Sequence, residues 1–552
     1  MRQGTTVKAI AFFMLTASLL YAEKGVSTQK KKALEKVFQV SKKTTFFTTP
    51  LLKSGRVDYI KAFNAYTKPK GVTPEKNGAV YLVKAIGWQE KHEYGSKEEK
   101  VYRTNLFTLL GLKKEGKGFY AFPPKGGNEI IDSYSYMKLK IKVFPEFGKE
   151  KEKKALEKKL QSDLHAENAK GESVPWKKEE RPETWKWIQM NEIPLKLAHR
   201  AMEQPFFYLP FARATTNNQQ PKTLLSTPTP VRKDCRKIAR LLFQRALNHL
   251  GENRPDEAAK DLMVIHQLAR KIGINGSLSI YLTGVSMEAI ANKGDYYLAM
   301  HAGFSIEKLK SYTKMLQALS PAFDINKTIN VYARCRSLDT IQNLAISSHK
   351  EAMEDYKGIG LPNWLTTGHF IFDWDQILTN FNLFYDKINE TNSKHFLVQI
   401  KLQNQITKNA LKSKEKLKEL SSKHFALKGL IKGKQYRTHV MGDSLMALLM
   451  PAIMQAFTGE QEILMKQEMN IVHFHLELYK RKNGKYPTKL NALLPNYLAK
   501  IPQDRFTEKQ NLKYLSDGKS FKLYSVGRDL KDNKGASWGE SPDGNDIVIK
   551  VP

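Results

Sequence analysis

Cysteine is almost missing from this chain of 552 residues, which has only Cys235 and Cys335. Neither has a Cys or His neighbour at ligand spacing, so a structural zinc site is excluded. In an oxidising compartment the pair permits one disulfide; two buried free thiols fit equally, and both readings stay open. Long hydrophobic runs are absent beyond the N-terminus. The most apolar later stretch, residues 445–453, contains Pro451 and falls short of the ~20 residues that a spanning helix needs. Sequence signatures of catalysis are missing too: the chain has no HExxH, no G-x-S-x-G, no Walker loop and no dinucleotide fingerprint. Any active site therefore has to be assembled in three dimensions. Acidic residues are scarce, with 55 Asp plus Glu against 90 Lys plus Arg and a formal net charge of +35. Such a surface attracts nucleic acid, anionic lipid or acidic polysaccharide, or is simply basic and solvated.

What is present begins with an address. Arg2 and Lys8 precede an apolar run over residues 9–22, and Glu23 and Lys24 follow at once. That is the layout of a secretory signal peptide over residues 1–22, cleaved near Ala22; an uncleaved anchor is the alternative. Leu20 departs from the pattern, because a small residue is preferred three places before the cut. The mature chain is expected in the periplasm or outside the cell. Export argues against nucleic acid as the partner and points to envelope proteins or anionic envelope polymers. With 41% hydrophobic residues the chain can bury a full core, and at ~150 residues per domain its length suggests about three domains.

Composition divides the chain further. A mixed region over residues 40–148 opens with two short helices between Gly55 and Gly87, where Thr73, Pro74 and Glu75 read as a start and Gly87 as a stop. The alternation of Met137, Leu139, Ile141 and Val143 reads as one strand. Residues 149–174, with the run GKEKEKKALEKKL, form a charged helix or linker. From 175 to 440 the period is helical. Ile238, Leu241, Leu242 and Ala246 make one apolar stripe, and Ala258, Leu262, Ile265, Ala269 and Ile272 make the next. Gly251 ends the first helix and Pro255 opens the second. This hairpin resembles one tetratricopeptide-type pair, with Ala258 and Ala259 letting the helices approach. No regular repeat of that kind follows, so an irregular helical bundle or array is expected. Trp176, Trp185 and Trp187 could stack on sugar rings; however, Trp185, Ile188, Leu195, Ala198 and Met202 share helical spacing, which favours core packing. His473 and His475 lie two apart on a predicted helix and point apart, as core or surface histidines rather than joint metal ligands.

The last segment, residues 441–552, is the most specific. It holds LMALLMPAIMQAF from Leu445, a helical pattern through Ile463, Leu464, Ile471, Val472, His475, Leu478 and Tyr479, and then NGKYPTKLNALL. IPQDRF, the strand-like NLKYL and FKLYSV, and finally SVGRDLKDNKG and DGNDIVI complete it. In this order the elements resemble the stem, Tyr-Pro loop and globular end of a type II secretion major pseudopilin, with Pro451 as the helix proline and Tyr486 and Pro487 as the loop pair. The resemblance implies a C-terminal α+β domain on a mainly α chain. The prepilin-peptidase motif is missing, since KGKQYRTHVMGDS precedes Leu445, which implies a module that does not polymerise. Arg505 stands where those relatives usually have proline. With its GRVDYIKAFN, GVTPEKNGA and PWKKEERPETW segments the whole chain also resembles a group of large exported bacterial proteins that carry this tail, which implies the architecture and no reaction.

Asp529, Asp532, Asn533, Asp543, Asn545 and Asp546 crowd the last loop among glycines. Calcium takes six to eight oxygens from flexible loops of this kind, whereas Asp, Asn and Gly are also plain turn formers. The spacing is not that of an EF-hand. The pseudopilin resemblance implies calcium, with Asp529 and Asp546 matching the family's acidic positions best; the expected ligand set is Asp529, Asp532, Asp543 and Asp546. No catalytic or other cofactor residue is expected. On these grounds the chain reads as a non-enzymatic envelope scaffold with a pseudopilin-like interaction module. The alternatives are an envelope hydrolase with a site formed only in three dimensions, or a binder of anionic glycan or lipid.

Overall fold

The structure, a computed structural model, describes residues 37–86, 97–112, 174–214, 223–227, 231–274, 276–320, 323–347, 372–390, 422–449, 451–537 and 544–552, with a few isolated positions between. The signal peptide, the strand expected at 137–143 and nearly all of the charged segment at 149–174 lie outside these residues. Helices α1 (Tyr59–Thr67) and α2 (Gly78–Ile86) are the two expected between Gly55 and Gly87, and α3 (Lys97–Leu109) follows. The Pro74 start yields only a single turn, Pro74–Lys76, and α2 begins two residues beyond it. The cause is tertiary: Asn77 Nδ2 donates to Tyr208 O at 2.9 Å and its Oδ1 accepts from Tyr208 N at 2.8 Å. Pinned to that segment, the backbone cannot turn at Asn77.

Next come α4 (Pro182–Met190) and α5 (Glu192–Glu203), then α6 (Val231–Gly251), α7 (Pro255–Gly273), α8 (Leu278–Met300) and α9 (Ile306–Gln317). The two sequence stripes meet as expected: Ile238, Leu241, Leu242, Leu262, Ile265 and Ala269 are all fully buried between α6, α7 and α8. Burying each Leu or Ile contributes about 1.5–3 kcal/mol before entropy is counted. The hairpin turn is tight because a Cβ on Gly251 would lie 2.1 Å from the carbonyl oxygen of Trp176; only glycine lets that strap cross the helix end. A π-helical stretch, Thr328–Ala333, leads into α10 (Arg334–Ile346), followed by α11 (Trp374–Glu390), α12 (Ser422–Leu449) and α13 (Pro451–Asn483). Cys235 and Cys335 are buried free thiols, and burial pushes both well above the ordinary thiol pKa. No helix among the described residues is long and apolar enough to cross a membrane.

A three-stranded antiparallel sheet closes the chain, with β1 (Lys513–Ser516), β2 (Phe521–Ser525) and β3 (Ile547–Val551) in that order. Tyr486 ties it to α13: its hydroxyl donates to Glu477 Oε1 at 2.5 Å, and its amide donates to Gly518 O. Arg505 donates from Nε (3.1 Å) and Nη2 (2.5 Å) to Glu468 Oε1 and from Nη1 to Gln461 Oε1 (3.1 Å), clamping the turn to α13.

Side-chain contacts cross the boundaries that composition suggests at 148/175 and at 440/441. Near the N-terminus, Arg56 pairs with buried Asp339 at 2.7 Å and Val57 N donates to Gln342 Oε1 at 2.9 Å. At the other end α13 lies against α8 and α9. Asn470 Nδ2 donates to Asn292 O at 2.9 Å, Gln467 Nε2 to Leu316 O at 3.2 Å and Tyr281 Oη to Glu460 Oε1 at 2.5 Å, all buried. Helix α13 is thus built into the helical body.

Candidate acid–base cleft

A cleft of about 570 Å³ opens where α4 and α5 meet the α6–α7 hairpin. Helical spacing aims paired polar side chains at it from three helices. Glu192 and His199 lie two turns apart on α5, Arg245 and His249 one turn apart on α6, and Glu257 and Asp261 one turn apart on α7.

Asp261 is the hub, with its side chain only 2% exposed. Its Oδ1 accepts from His199 Nε2 at 2.7 Å and from Arg245 Nη2 at 2.6 Å, and its Oδ2 accepts from Arg245 Nε at 2.8 Å. Arg245 Nη1 also reaches Glu192 Oε2 at 3.2 Å. Burial by itself would raise the Asp261 carboxyl; the bonds from His199 and Arg245 outweigh it and hold the pKa below the usual carboxylate range. Asp261 is therefore an anion at any pH near neutrality.

That anion sets the state of His199. Nη2 of Arg245 sits 3.1 Å from His199 Nε2 because both nitrogens converge on one oxygen. A guanidinium can only donate and a carboxylate only accept, so the network assigns a hydrogen to Nε2. Nδ1 is left as the ring's proton acceptor, and among the described residues no hydrogen bond reaches it. The ring is 28% exposed. His249 differs: its Nε2 is 3.7 Å from Asp261 Oδ2, too far for a hydrogen bond, and its buried Nδ1 has no hydrogen-bond partner among the described residues. Burial, with Arg254 and Arg245 adding to it against the pull of Asp261, lowers its pKa to about 4. One histidine is held by a carboxylate and a second is kept neutral in the same cavity.

Of the three tryptophans, Trp176 and Trp187 are buried in the core. Trp185 is half-buried and stands in the cleft wall, so for this ring core packing is only half of the account. His473 is fully buried, with its ring 5.5 Å from Tyr296 and 5.4 Å from Phe521. Burial lowers His475 to about 4, and among the described residues neither of its nitrogens has a hydrogen-bond partner.

The acidic loop joins β2 to β3, and Asp543 lies outside the described residues. Asp529 Oδ1 accepts from Lys531 N (3.1 Å), Asp532 pairs with Lys513 Nζ (2.9 Å), and buried Asp546 accepts from Asn533 N (3.3 Å) and Gly535 N (2.7 Å). As placed, these carboxylates face N–H donors and a lysine, and among the described residues no three acidic, His or Cys groups converge as a cation cage. Asp546 organises the loop by capping its backbone.

Of the cleft lining only Trp185 and Ile188 stand out in the sequence; none of its polar residues does. His199 and Asp261 are 62 positions apart; the one usable signal is polar residues at i, i+4 that interrupt the apolar stripe of α6, at Arg245 and His249, and flank that of α7, at Glu257 and Asp261. Comparison with protein-family models, with curated proteins and with solved structures finds no match to the chain.

Proposed function

We propose that the chain is an exported envelope protein whose cleft hydrolyses a substrate by general-base catalysis. The observation that carries this is the Asp261–His199 dyad, with its 2.7 Å bond to Nε2 and an unclaimed Nδ1 in a cavity of substrate size. Nδ1 accepts a proton from water as the water oxygen bonds to the electrophilic centre, Asp261 stabilises the imidazolium, and that proton then passes to the leaving group. Positioned acid–base groups of this kind supply about 10²–10⁴-fold. Groups with displaced pKa values gathered in one concavity favour this over a pure scaffold. The pseudopilin-like end then serves as a contact module. The test is a turnover screen with ester, amide, phosphoester and glycoside substrates on protein purified from its host's envelope, whose first residue is expected near Glu23. His199→Gln, close in size and without a basic nitrogen, should abolish the activity found; turnover that survives this change rules out the dyad.

We also propose calcium in the acidic loop, because Asp532 and Asp529 lie near enough to Asp546 to add to the upward push that burial gives its carboxyl. A cation would relieve that repulsion, provided Asp532 leaves Lys513. Metal that binds only the folded state stabilises it by about 2.7 kcal/mol at a hundredfold excess over Kd, so the full chain should melt higher in millimolar calcium than in chelator. Asp529→Asn should remove the difference. Asp546→Ala is unsuitable, because it strips the backbone cap whether or not metal binds. Equal melting with calcium and chelator defeats this proposal.

A further inference from the structure

We propose that the ligand of this cleft is a carboxylated sugar unit of an acidic glycan, an inference that rests on the cleft being the working site. Three features of its mouth point there. Arg254, Glu257 and Lys260 line the opening and are exposed. Among the described residues none of the three forms an ion pair or a side-chain hydrogen bond. Arg245, in contrast, is saturated by Asp261 and Glu192. The mouth therefore offers two free cations and one free carboxylate, and because Arg245 and Lys196 together offset Asp261 and Glu192, a surplus of a single positive charge remains. A monoanion is balanced by that surplus, whereas a phosphate dianion exceeds it and meets Glu257 and Glu192. The planar fork of Arg254 suits a carboxylate bidentately. Its backbone is fixed for the task, since Arg254 N donates to His249 O at 2.7 Å at the hairpin turn.

The second feature is the half-buried Trp185 in the same wall, an aromatic ring of the kind that covers the apolar face of a pyranose. The third is the pair of histidines in the same lining: His249 is nearly buried, and the 28% exposed His199 has an Nδ1 that can accept from a sugar hydroxyl. A sugar held by its carboxylate at Arg254 and Lys260 and by its face at Trp185 would present its linkage to His199. If that linkage is cut, water supplies the hydroxyl to one fragment and its remaining proton to the other, so no co-reactant is needed.

The experiment is calorimetric titration of the full-length His199→Gln protein, which cannot turn the ligand over, with a short oligogalacturonate, the matching neutral galacto-oligosaccharide and galactose 6-phosphate. Oligogalacturonate should bind at one site, with the neutral sugar and the phosphate each about tenfold weaker or more. Arg254→Gln removes one charge from a net +35, so unspecific adhesion is unchanged by it, whereas site binding should fall about tenfold. Trp185→Ala should weaken binding of the same sugar. Equal affinity for charged and neutral sugar, tighter binding of the phosphate, or no response to Arg254→Gln overturns the proposal. Turnover is scored separately on wild-type protein. Binding of the uronate without its hydrolysis supports the ligand class and counts against the hydrolytic reading. Hydrolysis of another substrate with no uronate binding does the reverse.

Discussion

Glutamine at His266 should cost the protein about 3–5 kcal/mol of folding stability, the range for removing one partner from a buried charge network. His266 is fully buried between α7 and α8, with Nε2 3.0 Å from Asp295 Oδ2 and Nδ1 3.0 Å from Glu288 Oε1, the second contact off the line of a hydrogen bond. Arg270 Nη2 donates to the same Glu288 oxygen at 3.1 Å and to Gln467 Oε1 on α13 at 2.7 Å, while Tyr312 Oη donates to Asp295 Oδ1 at 2.7 Å. Two cations and two anions cancel among fully or almost fully buried side chains. Burial alone would lower His266, but the two carboxylates outweigh it and raise its pKa to about 10. Glu288 is held below its ordinary range, because His266 and Arg270 outweigh the upward push of its own burial.

The sign of the pH dependence follows. The folded chain keeps on His266 a proton that the unfolded chain releases near pH 6.5, so this stabilisation is complete below pH 6.5 and drains away as pH rises toward 10. Urea midpoints at pH 6 and pH 9.5 should therefore fall for wild type, and by much less for His266→Gln, whose stability is already low at pH 6. Parallel losses in the two proteins would show that the ion cluster is not the titrating element. Because Arg270 bridges to Gln467, hydrogen exchange in α13 should accelerate in the variant as well.

Asp261→Asn is the second large effect: turnover by the cleft is expected to fall about 10²–10⁴-fold. An amide cannot accept as a carboxylate does from both His199 and Arg245, and its own N–H₂ can donate to Nε2. The imidazole then carries its hydrogen on Nδ1, so the basic nitrogen of the dyad disappears. Asp261 is a positioning residue that acts through His199, and its loss also leaves Arg245 with Glu192 alone. Stability will fall too, so melting by itself is not diagnostic. The separating readout is the ¹⁵N spectrum of His199, which should show a hydrogen on Nε2 in wild type and on Nδ1 in the variant, together with a loss in kcat larger than any change in KM. Full turnover in a folded Asp261→Asn protein would make the dyad merely structural.

The two effects come from opposite sides of α7. His266 and Arg270 face α8 and α13, whereas Glu257 and Asp261 face the cleft, and the apolar stripe runs between them. Damage to either network should therefore leave the other's signature intact: His266→Gln lowers stability without altering the His199 tautomer, and Arg254→Gln weakens the ligand without moving the urea midpoint.

Much of this architecture was legible in order of residues alone, and for a physical reason. Apolar side chains must leave water, and where they recur at the helix period they declare which face is buried; hence the stripes of α6 and α7, the turn between Gly251 and Pro255, and the strand character of NLKYL and FKLYSV. Charged and polar residues carry no comparable instruction. His266, Arg270, Glu288 and Asp295 look in the sequence like the solvated side of two helices, yet they are buried because α8 and α13 close over them. Asn77 looks like a helix residue and is a tertiary anchor. Glu192, His199, Arg245 and Asp261 become one site only when α5 is laid against the α6–α7 hairpin. Hydrophobic burial depends on each element's own periodicity, so it can be read locally. A hydrogen-bonded charge network depends on distances between elements far apart along the chain, and only the packed fold supplies those.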